Sequence, residues 1–101
     1  MSVDEFKGFQ ELMRTLYYEK DLKRGLWKTF AWFIEEVGEL SEAIKNEDKD
    51  KISEEMVDVI AWLMSLANLL NVDVHLSVRK KYGSLKCPRC KSSPCQCPES
   101  F

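Results

Sequence analysis

Apolar residues recur along this chain at intervals of three and four with polar residues between them, a period that predicts helices throughout. From about Val3 to Glu19, Phe6, Phe9, Leu12, Met13, Leu16 and Tyr17 form one stripe, with Ser2 or Asp4 placed to cap it. Asp21-Leu22-Lys23-Arg24-Gly25 reads as a turn-like break, positively charged together with Lys20 and Lys28; Lys23 reads as solvated, whereas Arg24 and Lys28, shortly before the next helix, are placed to touch phosphate. A second helix starts between Leu26 and Thr29 and runs to about Asn46, with Phe30, Phe33, Val37, Leu40 and Ile44 marking its core side. After the polar run Lys45–Lys51, a third helix begins near Asp48 or Asp50, either of which can cap it. It continues to about Leu70 on Ile52, Met56, Val59, Trp62, Leu63, Leu66 and Leu70. Asn71-Val72-Asp73 breaks it, and a shorter helix spans about Val74 to Tyr82, ended by Gly83. Alternation never persists long enough for a strand. The fold expected is all-α, about four helices in a bundle whose second and third members form an antiparallel hairpin. So broad an apolar surface on so short a chain predicts completion by a second copy, with Trp62, Leu66, Leu69 and Leu70 meeting it.

The polar positions change the picture. At about 100° per residue, Glu36 and Glu39 project from one side of the second helix, and Glu55 and Asp58 from one side of the third. Glu55 falls inside the apolar stripe, Asp58 at its edge, and Glu36 borders the core side of its own helix. Two like charges about 4 Å apart repel by roughly 4 kcal/mol at an effective dielectric near 20, and desolvation adds to that. Four carboxylates facing one seam therefore need cations or shared protons. Donors that are all oxygen suit a hard ion, Mg²⁺ or Mn²⁺. Glu42, Glu47, Asp48 and Glu54 read as an ordinary solvated face. Gly38, between two of the glutamates, leaves room for another helix or a ligand to come close.

The cysteines are all in the tail, as Cys87-Pro88-Arg89-Cys90 and Cys95-Gln96-Cys97. Four thiolates in eleven residues can close a tetrahedral site that takes Zn²⁺; an iron–sulfur cluster or free thiols are the alternatives. The chain thus divides into a helical domain over 1–85 and a zinc-knuckle-like tail over 86–101. At 101 residues, 45% hydrophobic and 32% charged, it has room for one domain. A net charge of −2 makes no general case for nucleic-acid binding, and no apolar run is long enough to span a bilayer. Met1-Ser2-Val3-Asp4-Glu5 lacks the basic-then-apolar pattern of a signal peptide, so the expected location is cytoplasmic. His75, the one histidine, reads as a surface or capping residue.

Glu35-Glu36-Val37-Gly38-Glu39 on one helix and Glu55-Met56-Val57-Asp58 on the next, with fifteen residues between Glu39 and Glu55, resemble the MazG-like family. Trp32-Phe33-Ile34-Glu35-Glu36-Val37-Gly38-Glu39-Leu40-Ser41-Glu42-Ala43-Ile44 is similar to that family's signature helix, and the resemblance covers about residues 5–83. It implies an all-α nucleoside triphosphate pyrophosphohydrolase, a homodimer or homotetramer, in which Glu36, Glu39, Glu55 and Asp58 hold Mg²⁺. Glu35 assists nearby, orienting or deprotonating the attacking water. On that reading Lys28, Arg79 and Lys81 neutralise phosphate charge, and Phe9, Trp27 or Trp32 stacks on the base. The competing expectation is a non-enzymatic helical adaptor whose acids are structural and whose zinc tail engages a partner protein or nucleic acid.

Overall fold

A computed structural model describes residues 5–99, which form four helices and, among those residues, no strand. They are α1 (Glu5–Arg24), α2 (Leu26–Lys45), α3 (Lys49–Leu69) and α4 (Val74–Tyr82). The expected start at Val3 and the cap at Ser2 or Asp4 lie outside the described residues. α3 is the central element, with α1 and α2 both laid along it.

The first difference from expectation is at the α1–α2 junction. Residues 21–24 are helical, and the break is confined to Gly25, whose φ of 89° and ψ of 160° suit glycine far better than any other residue. Asp21 and Arg24 pair within this last turn at 2.8 Å, with Asp21 only 2% exposed. Charge here marks an internal pair one helical turn apart, which is why a run that looks like a loop stays helical.

The α2–α3 turn is as tight as expected. Asn46, Glu47 and Asp48 connect the two helices, and Asp48 caps α3 by accepting a hydrogen bond from the Lys51 N–H at 3.2 Å. Asp73 caps α4 in the same way, on the Leu76 N–H at 3.0 Å, and α4 leaves α3 at a bend of 103°. Gln10 of α1 closes that corner. Its amide nitrogen donates to Asn68 Oδ1 at 3.0 Å and to the Val72 carbonyl at 2.7 Å, while its amide oxygen accepts from the Val74 N–H at 3.0 Å. Asn68 answers by donating to the Gln10 carbonyl at 3.2 Å.

The core is thin. Among the described residues, the buried hydrophobics are Met13, Ala43, Met64, Leu66 and Ala67. α2 turns Thr29, Glu36, Leu40 and Ala43 inward, while Phe30, Val37 and Ile44, expected in the core, are exposed together with Trp27 and Ile34. On α3, Met56, Ile60, Leu63 and Leu70 are likewise exposed, whereas Leu66 is buried within the chain and so has little to offer a second copy. Periodicity locates an apolar face without saying which body covers it. No atom from elsewhere in the chain comes within 4 Å of where a Cβ on Gly38 would stand, so the close approach expected there is not made within one chain. Among the described residues no single helix is long and apolar enough to cross a membrane.

Candidate active site and a separate thiol cluster

The hairpin brings three of the four singled-out carboxylates together. Glu36 and Glu39 stand one turn apart on α2, and Glu55 faces them from α3; one oxygen from each lies within 4.8 Å of the other two. Glu55 is 4% exposed, and Lys51, one turn before it, reaches its Oε1 at 3.5 Å. Glu36 Oε2 and Glu55 Oε2 are buried with no hydrogen-bond partner among the described residues. Desolvation pushes the Glu36 carboxyl up to about 7; the charges of Glu39 and Asp58, a hydrogen bond with Glu39 and the charge of Glu55 push the same way. Without a cation, then, Glu36 keeps its proton well above the usual carboxyl range. Two buried lone-pair donors, an excess of negative charge and no nitrogen or sulfur among them fit a hard divalent ion.

Asp58 is exposed at the rim, close enough to weigh on Glu36 but outside the converging set of three. Glu35 is exposed and also outside that set.

Asp58 also borders a cavity of about 290 Å³ between α1 and α3, whose wall includes Tyr17, Lys20, Asp21, Arg24 and Trp62. Arg24 organises that wall. Besides Asp21 it donates to the Thr29 hydroxyl at 3.3 Å, and its guanidinium lies 4.9 Å from the centre of the Trp62 ring. Trp62 stacks on Trp32 with centroids 5.9 Å apart. Asp21 Oδ2 is buried without a hydrogen-bond partner among the described residues. Sequence reasoning gave Lys20, Asp21 and Trp62 no place in a site. The signal available was the spacing of Met13, Tyr17, Asp21 and Arg24, one helical face that ends in a charged pair.

The residues expected to contact substrate are dispersed. Trp32 adjoins this cavity through Trp62. Trp27 is 78% exposed, edge-on to Phe30, and Lys28 is exposed. Phe9 and Arg79 line a different, apolar hollow with Phe6, Val57 and Ile60, and Lys81 lies over Tyr82 beside the tail. That hollow, at about 590 Å³, and another of about 660 Å³ between Lys81, Tyr82 and the tail both exceed 290 Å³, but neither is lined by the acidic residues of the hairpin seam.

The tail gathers its own set. Cys87, Cys90, Cys95 and Cys97 are free, and their Sγ atoms all lie within 4.8 Å of one another. Backbone N–H groups of Gln96 and Ser92 draw the Cys90 thiol down to about 6, those of Cys90 and Arg89 lower Cys87, and the hydrogen bond with Cys95 pushes Cys97 up to about 12.

A family model described as the MazG nucleotide pyrophosphohydrolase domain matches residues 25–84. The matched span holds α2, α3, α4 and all the clustered carboxylates, and leaves out α1 and the thiols. No curated protein matches the chain.

Proposed function

Because the chain belongs to the MazG nucleotide pyrophosphohydrolase domain family, we propose that it hydrolyses a nucleoside triphosphate to the monophosphate and pyrophosphate with Mg²⁺, for which Mn²⁺ can substitute. The observation that carries this is the pair of buried, unpartnered oxygens, Glu36 Oε2 and Glu55 Oε2, within a three-carboxylate set. Glu36, Glu39 and Glu55 would hold the metal, with Asp58 joining from the rim. When bound, the ion supplies charge neutralisation at the phosphate oxygens and lowers the pKa of an attacking water.

The chain's own residues do the rest. Glu35, exposed beside the set, accepts the proton of that water. Lys20 and Arg24 give the neighbouring cavity a cationic wall, and Tyr17 and Trp62 give it flat rings for a base. Arg24, held between Asp21, Thr29 and Trp62, meets phosphate already oriented. Lys51 Nζ, 3.5 Å from Glu55 Oε1, offsets part of the charge at that buried carboxyl. The unit we assign this activity is residues 1–85, working as a homodimer or homotetramer whose copies cover the exposed apolar faces of α2 and α3.

The test is pyrophosphate release from a panel of ordinary and modified nucleoside triphosphates with Mg²⁺. Turnover that vanishes on chelation and returns with Mg²⁺ or Mn²⁺ is expected. A folded protein that turns over none of them at any pH would favour the adaptor, in which the acids are structural.

A further inference from the structure

The hydrolytic reading leaves the tail without a task, and nothing in the matched span assigns it one. Beyond Tyr82 the described residues contain no helix or strand and not one buried residue, so no apolar core holds this segment in shape. Yet its four sulfurs converge.

The convergence has the dimensions of a particular polyhedron. Four thiolates at about 2.3 Å from a tetrahedral Zn²⁺ stand about 3.8 Å apart along each edge. The sulfurs of Cys87 and Cys97, from opposite ends of the segment, are 3.8 Å apart. That is far longer than the roughly 2.05 Å of a disulfide, and all four cysteines are free. A multi-iron core would interpose its own atoms and hold the outer thiolates wider than the 4.8 Å within which these lie.

The backbone is shaped around the sulfurs. Lys91 donates its N–H to the Cys87 carbonyl at 2.8 Å, and the Cys87 N–H donates to the Ser92 carbonyl at 3.0 Å, closing the Cys-x-x-Cys turn. Lys91 takes a φ of 63° to complete it. The second half then folds back. The Gln96 N–H points at Cys90 Sγ at 3.2 Å and the Cys97 N–H at Cys95 Sγ at 3.3 Å, the kind of donor that stabilises a metal-bound thiolate. Four thiolates and one divalent cation carry a net double negative charge, and Lys86, Arg89 and Lys91 neighbour Cys87 and Cys90 in the sequence.

We propose that Cys87, Cys90, Cys95 and Cys97 bind a single Zn²⁺ in a closed tetrahedral site, and that this ion orders the tail. All donors are soft and all four positions are filled, so the site is structural and distinct from the oxygen-only set on the hairpin. The proposal goes beyond the hydrolytic reading and does not depend on it.

The full chain, purified under reducing conditions without chelator, is assayed for metal by elemental analysis. One zinc per chain is expected, unchanged in the Glu36→Gln/Glu39→Gln double variant and lost in Cys87→Ser and in Cys95→Ser. The reduced, metal-stripped chain is then titrated with Co²⁺. The intense sulfur-to-cobalt and tetrahedral d–d absorption of a tetrathiolate should saturate at one equivalent and disappear on adding Zn²⁺. A chain that carries no zinc, one that carries iron, or a Co²⁺ spectrum that survives the cysteine substitutions would overturn the site. A strong zinc chelator should strip this metal while Mg²⁺-supported hydrolysis continues; hydrolysis that falls in step with zinc would overturn the structural assignment. Metal content and absorption are read without substrate, so a failure of the hydrolytic reading leaves them standing.

Discussion

At the scale of single residues, the chemistry turns on groups that sit where their charge is expensive. Glu36 shows it most plainly. Its carboxyl titrates near 4.5 when unhindered and is pushed up to about 7 in the fold. The folded, metal-free protein therefore holds a proton that the unfolded chain has released, so this residue's contribution falls as pH rises from about 4.5 and is fully lost above about 7. Metal-free thermal denaturation should show a loss of stability across that window, and Glu36→Gln should flatten it. Divalent ions compete with the same proton, so the Mg²⁺ concentration needed for half-maximal hydrolysis should climb as pH drops below 7. Glu39→Gln or Asp58→Asn should reduce hydrolysis by about 100-fold or more while leaving the metal-free form as stable as before, because each relieves repulsion. Near-normal turnover in either would remove that residue from the metal site. Arg24→Met should cost stability as well as hydrolysis. It strands Asp21, 2% exposed, without its cation, and the melting temperature should fall with a loss of roughly 2–3 kcal/mol, the partial exposure of Arg24 keeping the cost below that of a fully buried pair.

At the scale of elements, the hairpin carries the candidate site, and it was the most legible part of the chain. Helical phase alone put Glu55 inward and Asp58 at the edge of α3, and the cap at Asp48 and the short turn brought α3 back along α2. The end of α1 was not legible, because four charged residues in five positions look like a solvated turn until the pairing of Asp21 with Arg24 is known. The apolar stripe of α2 was visible but assigned to the wrong body: its Phe30, Val37 and Ile44 face out, and the small and polar face of Thr29, Glu36 and Ala43 packs in. Gly38 tests what lies outside that helix. With open space around its missing Cβ, Gly38→Ala should raise stability by about 1 kcal/mol and leave hydrolysis intact. A loss of activity or assembly instead would mean that another subunit approaches there. Deleting residues 87–101 should likewise spare most of the hydrolysis, since the carboxylates and the cavity beside them all precede the tail.

At the scale of the molecule, the chain is more extended than a compact domain of its length. Its radius of gyration is 15.9 Å, against about 13 Å expected for a compact domain of this length. Sedimentation should give a mass that is a multiple of the 11.8 kDa chain, and Ile34→Asp or Leu63→Asp should shift it towards the monomer with a lower melting temperature. A wild-type protein that sediments as a stable monomer would refute this. The Gln10 clasp was not foreseeable at all, because an amide has no periodic signature and its bonds bridge 58 to 64 residues of sequence. It has a consequence for how the molecule breathes. The α2–α3 hairpin is held by contacts between chain neighbours, whereas α1 meets the α3–α4 corner across most of the chain. The Val74 amide hydrogen, bonded only to the Gln10 side chain among the described contacts, is therefore a gauge of α1 docking written into the fold. In hydrogen–deuterium exchange it should open with α1 well before the amides in the middle of α3 do, and in Gln10→Ala it should exchange freely while those amides keep their protection.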